Sequence, residues 1–264
     1  MPSLVAILNL TPDSFSDGNS YPSEKSVLDA VDAMIDAGAS VIDVGAESTR
    51  PGAFPLDANE EWDRLSPLIA NIIKIAHAKH VLVSVDTRHA LNASRVVALG
   101  ADWINDISGD DNEILRVVAA AERSIVRMHH NGIPANPNAN IAEDEDVCEL
   151  IRRFVEKNIA QTEKYGIKRH QLILDPGIGF GKSSAQNWQI LQEVERWHHR
   201  GAAWLLGHSR KSFLSYLTDK PAKERDVETL AVSAYAARKG FTYLRVHNVA
   251  IHTQFFRTLE ALEV

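Results

Sequence analysis

A single (β/α)8 barrel is the fold this sequence predicts, and three observations carry the prediction. Eight short apolar runs alternate with amphipathic stretches along the 264 residues, the rhythm of repeated βα units. No low-complexity stretch, charge block or linker-like segment breaks that rhythm, so one domain spanning 1–264 is expected. Polar residues are also divided unequally. Segments after the apolar runs are dense in Asn, Asp, Arg, Lys, His and Gly, whereas those before them are ordinary helix exits such as DAGA, HAKH, ALGA and RKGF. A barrel explains the asymmetry, because its site is built at the C-terminal ends of its strands and its opposite face only turns the chain. An open doubly wound sheet is the alternative that shares the alternation.

In chain order, the expected strands are LVAIL (4–8), SVIDV (40–44), VLVSV (81–85), DWIND (102–106), SIVRM (124–128), QLILD (171–175), AAWLLG (202–207) and TYLRV (242–246). Helical patterns lie between them. One spans 24–37, with Ser23 as its N-cap and Gly38 as its stop. Another spans 146–165, where Val147, Ile151, Phe154, Val155 and Ile159 recur at helix spacing before Gly166. The loops at 11–23 and 46–58 are long for βα connections and rich in Gly, Pro and Ser, a composition and length common in lids.

Composition narrows the function. A formal net charge of -7 gives no general attraction to nucleic acid or anionic membrane, so a small-molecule partner bound by a local cluster is expected. Cys148 is the only cysteine, which excludes an intramolecular disulfide framework and any multi-cysteine metal site. No apolar run approaches the ~20 residues of a membrane span, and no basic-plus-apolar leader opens the chain. A cytoplasmic location is expected.

The glycine-rich stretch LDPGIGFGKS (174–183) resembles a phosphate cradle but fails as one. A P-loop needs glycine where Pro176 stands, and proline offers no N–H. The dinucleotide fingerprint fails on spacing, since Gly177, Gly179 and Gly181 alternate strictly.

The strand ends carry better candidates. Asp86, Asn105 and Asp175 close the third, fourth and sixth strands, and carboxylates in a barrel mouth need donors to offset their desolvation. A ligand with adjacent N–H groups would supply them. The alternative is that they cap the following helices or pair with Arg88 or Arg210. Ser209, Arg210, Lys211 and Ser212 follow the seventh strand, and Arg245 with His247 closes the eighth. In many barrels these loops form the phosphate site. Asn9 ends the first strand as a neutral oxygen donor of the kind Mg²⁺ accepts beside water and phosphate, or as a turn residue before Thr11 and Pro12. His129 and His130 are adjacent and would diverge on a strand, so no paired-histidine metal site is expected.

Together these segments resemble the dihydropteroate synthases, folate-pathway enzymes of the pterin-binding barrel family. The resemblance runs through NLTPDSFSDG (9–18), DVGAESTRPGA (43–53), SVDT (84–87), INDISG (104–109), DPGIGFGK (175–182), SRKS (209–212) and RVH (245–247). It implies condensation of 6-hydroxymethyl-7,8-dihydropterin pyrophosphate with p-aminobenzoate, giving 7,8-dihydropteroate and pyrophosphate, with Mg²⁺ as the cofactor. It further implies that Asp86, Asn105, Met128, Asp175, Phe180 and Lys211 hold the pterin. Asn9, Arg245 and His247 would hold the pyrophosphate, with Asn9 on the metal. Thr49, Arg50, Pro51, Phe180 and Ser209 would form the p-aminobenzoate side. Lys211, Arg245, His247 and Asp86 would be catalytic, and the protein a homodimer. A folate-dependent methyltransferase of the same superfamily would share the pterin contacts without needing SRK and RVH around an anion. A pterin-binding paralogue without synthase activity would need neither the anion side nor the p-aminobenzoate side.

The chain departs from the family pattern at Ala46, where a second Gly is common, at His208, where Met often precedes SRKS, and at Asn248, where Asp commonly follows RVH. It also begins almost at the first strand, without the short segment that often closes the barrel's bottom. Asn248 is the departure expected to alter anion binding, by removing a charge beside Arg245 and His247.

Overall fold

The structure, a computed structural model, describes residues 1–11, 23–47, 54–108, 112–132, 140–199 and 201–262. Its strands are β1 (Ser3–Asn9), β2 (Val41–Gly45), β3 (Leu82–Asp86), β4 (Trp103–Asp106), β5 (Ser124–Met128), β6 (Leu172–Asp175), β7 (Ala203–Leu206) and β8 (Tyr243–Val246). Each lies within one residue of its apolar run at either end. All pair in parallel with their sequence neighbours, and β8 returns to β1 with Ser3 opposite Tyr243 and Val5 opposite Arg245. That closure makes the molecule a (β/α)8 barrel and excludes the open doubly wound sheet.

Helices α1 (Glu24–Asp36), α2 (Ala58–Leu65), α3 (Ile69–Ala78), α4 (Ala90–Leu99), α5 (Asn112–Ala120), α6 (Val147–Lys164), α7 (Ser184–Gln192), α8 (Asp226–Arg238) and α9 (Val249–Leu262) occupy the connections, α2 and α3 both lying between β2 and β3. Their ends follow local chemistry. The Ser23 hydroxyl accepts the Ser26 N–H at 3.1 Å to start α1, and Gly38 leaves it with φ of 103°. Asp146 caps α6 by accepting from Cys148 and Glu149. Cys148 itself is buried in the core, where burial pushes its thiol up to about 12 and makes it unreactive.

Two apolar layers result. The outer layer packs strand residues such as Ala6, Ile42, Val83 and Ile104 against the helices. The inner layer fills the barrel's lower interior with Val5, Val41, Trp103, Val126, Ile173 and Leu205, and Tyr243 meets Trp103 edge-to-face at 4.8 Å. Complete burial of such a side chain contributes about 1.5–3 kcal/mol. Because strand side chains alternate, counting by twos from this inner layer reaches the inward-facing positions higher up. Val5 leads to Asn9, Val41 to Asp43 and Gly45, Trp103 to Asn105, Val126 to Met128, Ile173 to Asp175, and Tyr243 to Arg245 and His247.

The opposite parity also carries charge. Asp106 and Arg127 face outward from β4 and β5, their side chains 0% and 1% exposed and paired at 2.7 Å. Asn158 of α6 accepts from Arg127 Nε at 2.8 Å. Among the described residues, no helix is long and apolar enough to cross a membrane.

Candidate active site

The mouth of the barrel, at the C-terminal ends of the strands, brings the inward-facing polar residues together. Asp43, buried in the middle of β2, is the hub. It receives Arg245 Nε at 2.6 Å and the Asn105 amide at 3.2 Å. Nothing in the motif reading singled out Asp43. The available signal was an acid at an inward strand position, which demands a buried partner. That partner lies 202 residues away.

Asp86 stands beside this pair, its carboxylate 3.8 Å from Arg245 Nη2. Burial and the nearby Asp43 charge push its carboxyl well above the usual range, against the opposing pull of Arg245. Arg88 does not neutralise it, because Arg88 is paired with Glu47. Behind it, buried Glu61 accepts from Thr87 and Asn92, both at 2.6 Å, and fixes the chain as it leaves β3.

Asp175 is buried at the end of β6. One oxygen accepts the Gly177 N–H at 2.7 Å, a bond within the loop, whereas the following helix α7 is capped by Ser183. Arg210 does not pair with Asp175, being held by both oxygens of Asp226 at 2.7 and 2.9 Å. Burial raises the Asp175 carboxyl, with Lys211 opposing. A Cβ added at Gly207 would lie 3.3 Å from Asp175 Oδ2, so the glycine leaves room beside that oxygen.

The glycine-rich loop after β6 wraps this carboxylate. Gly177 has φ of 66°, and a Cβ there would fall 1.8 Å from the His129 carbonyl oxygen, which only glycine permits. A Cβ at Gly179 would meet the Lys211 stem at 3.1 Å. Lys211 donates to the Ile178 carbonyl and lies 4.3 Å above the centre of the Phe180 ring. Burial pulls Lys211 down to about 7. Met128 is buried at the end of β5, beside the turn at Gly177.

Ser209 and His247 meet: the Ser209 hydroxyl accepts the His247 backbone N–H at 3.2 Å and lies 2.9 Å from Nδ1 of its ring. A residue expected on the p-aminobenzoate side thus orients one expected on the pyrophosphate side. Thr49, Arg50 and Pro51 lie outside the described residues, as do 12–22 of the first long loop.

His208 and Asn248 join a polar chain behind these loops. His208 Nε2 lies 2.8 Å from Ser233 Oγ, which lies 2.9 Å from His252 Nε2. Burial holds His208 down to about 4, so it is neutral near pH 7. The Asn248 amide donates to Asp226 at 2.8 Å. An Asp at 248 would set two carboxylates together, so the amide bears on the Asp226–Arg210 pair rather than on Arg245. Ala46 is buried without a left-handed backbone, so a side chain is accommodated where glycine is common.

The fit of Mg²⁺ rests on Asn9 and Gly45. A Cβ at Gly45 would lie 3.8 Å from both Asn9 Oδ1 and Asp86 Oδ2, so the glycine keeps the space between a neutral and an acidic oxygen clear. Among the described residues no cluster of three His, Cys, Asp or Glu could hold a metal. One protein oxygen completed by phosphate and water is a donor set Mg²⁺ accepts. The two adjacent rings have different partners: His129 packs edge-to-face on Phe154 with ring centroids 5.4 Å apart, and His130 is bonded to the Ser108 carbonyl at 2.5 Å.

Comparison with known proteins agrees with this geometry. The model of the pterin binding enzyme family matches residues 5–247. Dihydropteroate synthase of Escherichia coli is 38% identical over 264 residues, covering 98% of this chain and 91% of the relative. The chain spans only 29% and 31% of two bifunctional folylpolyglutamate synthase/dihydropteroate synthases from Haloferax volcanii and Halobacterium salinarum. Among solved structures, dihydropteroate synthase of Anaplasma phagocytophilum with bound 6-hydroxymethylpterin-monophosphate superposes with a TM-score of 0.89 at 35% identity, covering 100% of this chain and 99% of that one. The Xanthomonas albilineans enzyme with 4-aminobenzoic acid gives 0.90 at 33% identity, covering 100% and 93%. The family match over nearly the whole barrel, and relatives of similar length, settle the lineage: the chain belongs to the dihydropteroate synthase family of pterin-binding enzymes.

Proposed function

We propose that the chain condenses 6-hydroxymethyl-7,8-dihydropterin pyrophosphate with p-aminobenzoate, releasing pyrophosphate and forming 7,8-dihydropteroate. One observation carries the reading. Two carboxyl groups, the half-buried Asp86 and the buried Asp175, share a single barrel mouth with Arg245 and Lys211, and the neighbouring arginines Arg88 and Arg210 are bound elsewhere. A pterin presents adjacent N–H donors on one edge and a carbonyl acceptor beside them, which suits carboxylates flanked by a lysine.

In this reading Asp175 accepts from the aminopyrimidinone edge, Lys211 donates to the pterin carbonyl, and Asp86, Asn105, Met128 and Phe180 complete the pocket. The bond between the pterin methylene carbon and the pyrophosphate oxygen breaks, and its electron pair leaves with pyrophosphate. Positive charge spreads into the dihydropterin ring, where Asp86 and Asp175 tolerate it. Arg245 and His247 stabilise the departing charge. Arg245 suits this role because Asp43 engages its Nε, while Nη2 lies 3.8 Å from Asp86, too far for a hydrogen bond, so the Nη donors can turn to an anion. The neutral arylamine then forms the carbon–nitrogen bond and loses its proton to water, so no covalent enzyme intermediate and no general base is needed. Mg²⁺, when held at Asn9, would neutralise charge on the leaving group. Thr49, Arg50, Pro51 and Ser209 would border the p-aminobenzoate. The chain would act as one pterin-binding unit in the cytoplasm, as its composition suggests, and in a homodimer, as the resemblance implies.

The test is pyrophosphate release from the pterin pyrophosphate with Mg²⁺, with and without p-aminobenzoate. Release that depends on p-aminobenzoate and yields dihydropteroate is expected. Tight pterin binding with no release would identify a non-catalytic paralogue instead.

A further inference from the structure

The loop that looks like a phosphate cradle contains a lysine the reaction leaves unexplained. Lys182 is only 5% exposed. Its ammonium donates to the carbonyls of Gly177 at 2.9 Å, His129 at 3.1 Å and Phe180 at 3.2 Å. An ammonium has three N–H donors, so donors and acceptors match one to one. Among the described residues it makes no ion pair, and its charge is held by peptide dipoles. Two of the three carbonyls belong to the β6 loop, and the third to the chain leaving β5.

The same joint fixes the pterin-facing groups. The His129 N–H donates to the Asp175 carbonyl at 2.9 Å, and the Gly177 N–H to the Asp175 carboxylate at 2.7 Å. Phe180, whose carbonyl Lys182 holds, lies under the Lys211 ammonium. Asn187 pins the far side of the loop by accepting the Gly179 N–H at 2.8 Å. Losing the ammonium would leave the His129 and Phe180 carbonyls unsatisfied and the Gly177 carbonyl with only the Phe180 N–H, at 3.2 Å. The loop would open to hydrate them, moving Asp175 and Phe180 relative to each other.

We propose that Lys182 is a positioning residue of the pterin pocket: its ammonium ties the exit of β5 to the β6 loop and holds the Asp175 carboxyl and the Phe180 ring at the spacing that grips the pterin. This rests on the pterin reading above. Burial pulls Lys182 down to about 7, so the tie weakens as pH rises through neutrality. The groups facing it are Asp175, which holds the proton on, and Lys211 and His129. Lys211 titrates in the same range. An arginine at 182 separates the two, because it stays charged throughout.

The experiment uses the full chain and its K182M and K182R variants. Calorimetry measures 6-hydroxymethylpterin and, separately, pyrophosphate with Mg²⁺, while hydrogen exchange follows peptides covering 128–132 and 176–183. In K182M, pterin affinity is expected to fall about tenfold, KM for the pterin pyrophosphate to rise in proportion, and exchange at 176–183 to quicken. Pyrophosphate affinity is expected to stay within about twofold, because Arg245, His247 and Asn9 are on other elements. K182R should recover most of the pterin affinity and flatten part of its decline with pH. Pterin affinity unchanged in folded K182M, or equal losses of pterin and pyrophosphate, would overturn the proposal. If K182M does not fold, K182Q is judged by the same criteria. Wild-type protein that binds no pterin would sink the functional reading as well, whereas wild-type binding matched by K182M sinks the Lys182 proposal alone.

Discussion

Two arginine–aspartate pairs sit on opposite faces of the barrel wall and serve opposite ends, one joining the neighbouring strands β4 and β5, the other β8 and β2 across β1. Arg127 and Asp106 are sealed behind α6, with side chains 1% and 0% exposed, and Asn158 takes the arginine's Nε. Arg245 and Asp43 face the barrel interior, with Asn105 as the amide, but here the arginine is 22% exposed and a second carboxyl, Asp86, competes for it. Asn105 and Asp106 are consecutive, so strand parity alone assigns them to the two groups. Residue types do not separate a structural cluster from a functional one. Surplus and access do: the outer pair is enclosed, whereas the inner one keeps an extra acid and an open side toward the mouth.

Breaking each pair should give opposite phenotypes. Arg127→Met leaves Asp106 buried without its cation and is expected to cost about 3–5 kcal/mol of stability, read from urea unfolding, with pterin affinity of the folded fraction unchanged. Arg245→Met should instead lower turnover about 10²–10³-fold by removing a donor from the departing pyrophosphate. Its stability loss should be the smaller, since Asp43 keeps the Asn105 amide and the exposed side admits water. Equal stability losses in the two variants would collapse the distinction.

Asp175→Asn sharpens it from the ligand's side. The substitution keeps shape and a Gly177 acceptor but removes the charge that a pterin would meet. Pterin affinity is expected to fall by about 1.5–3 kcal/mol with little change in unfolding midpoint. Calorimetry showing unchanged affinity would make Asp175 a loop cap only.

Much of this was legible in the sequence because it is periodic and local. The strand ends, the Ser23 cap and the placement of Asn9, Asp86, Asn105, Asp175, Arg245 and His247 at the strand ends all follow from patterns within a few residues. Asp43 and Lys182 escaped, each for a physical reason. Asp43 sits inside an apolar run and its partner is 202 residues distant. Lys182 lies in a motif whose glycines suggest phosphate, yet its ammonium turns inward to carbonyls, an orientation set by the path of the β5 exit. Asn248 was expected to act on Arg245, but its contact is with Asp226, because β8 turns into α9 at that point and carries the side chain outward to α8.

The smallest expected effect concerns Lys211, whose two roles predict slopes of opposite sign. Burial lowers it from 10.5 to about 7, with Asp175 opposing and Arg245 assisting. In the empty protein the unfolded chain therefore holds this proton more firmly than the folded one between those values. Stability from this group is complete above 10.5 and is lost as pH falls toward 7, so it rises with pH across the window. Pterin binding runs the other way, because the ammonium makes a stronger hydrogen bond to the pterin carbonyl than the neutral amine does. Affinity should be greatest below pH 7 and fall about three- to tenfold by about pH 9. Lys211→Met should remove that component of both slopes, leaving in the binding profile only what Lys182 contributes. If the affinity profile of Lys211→Met kept the full wild-type decline, Lys211 would be a loop anchor through Ile178 and Phe180, and the donor to the pterin would have to be sought elsewhere in the mouth.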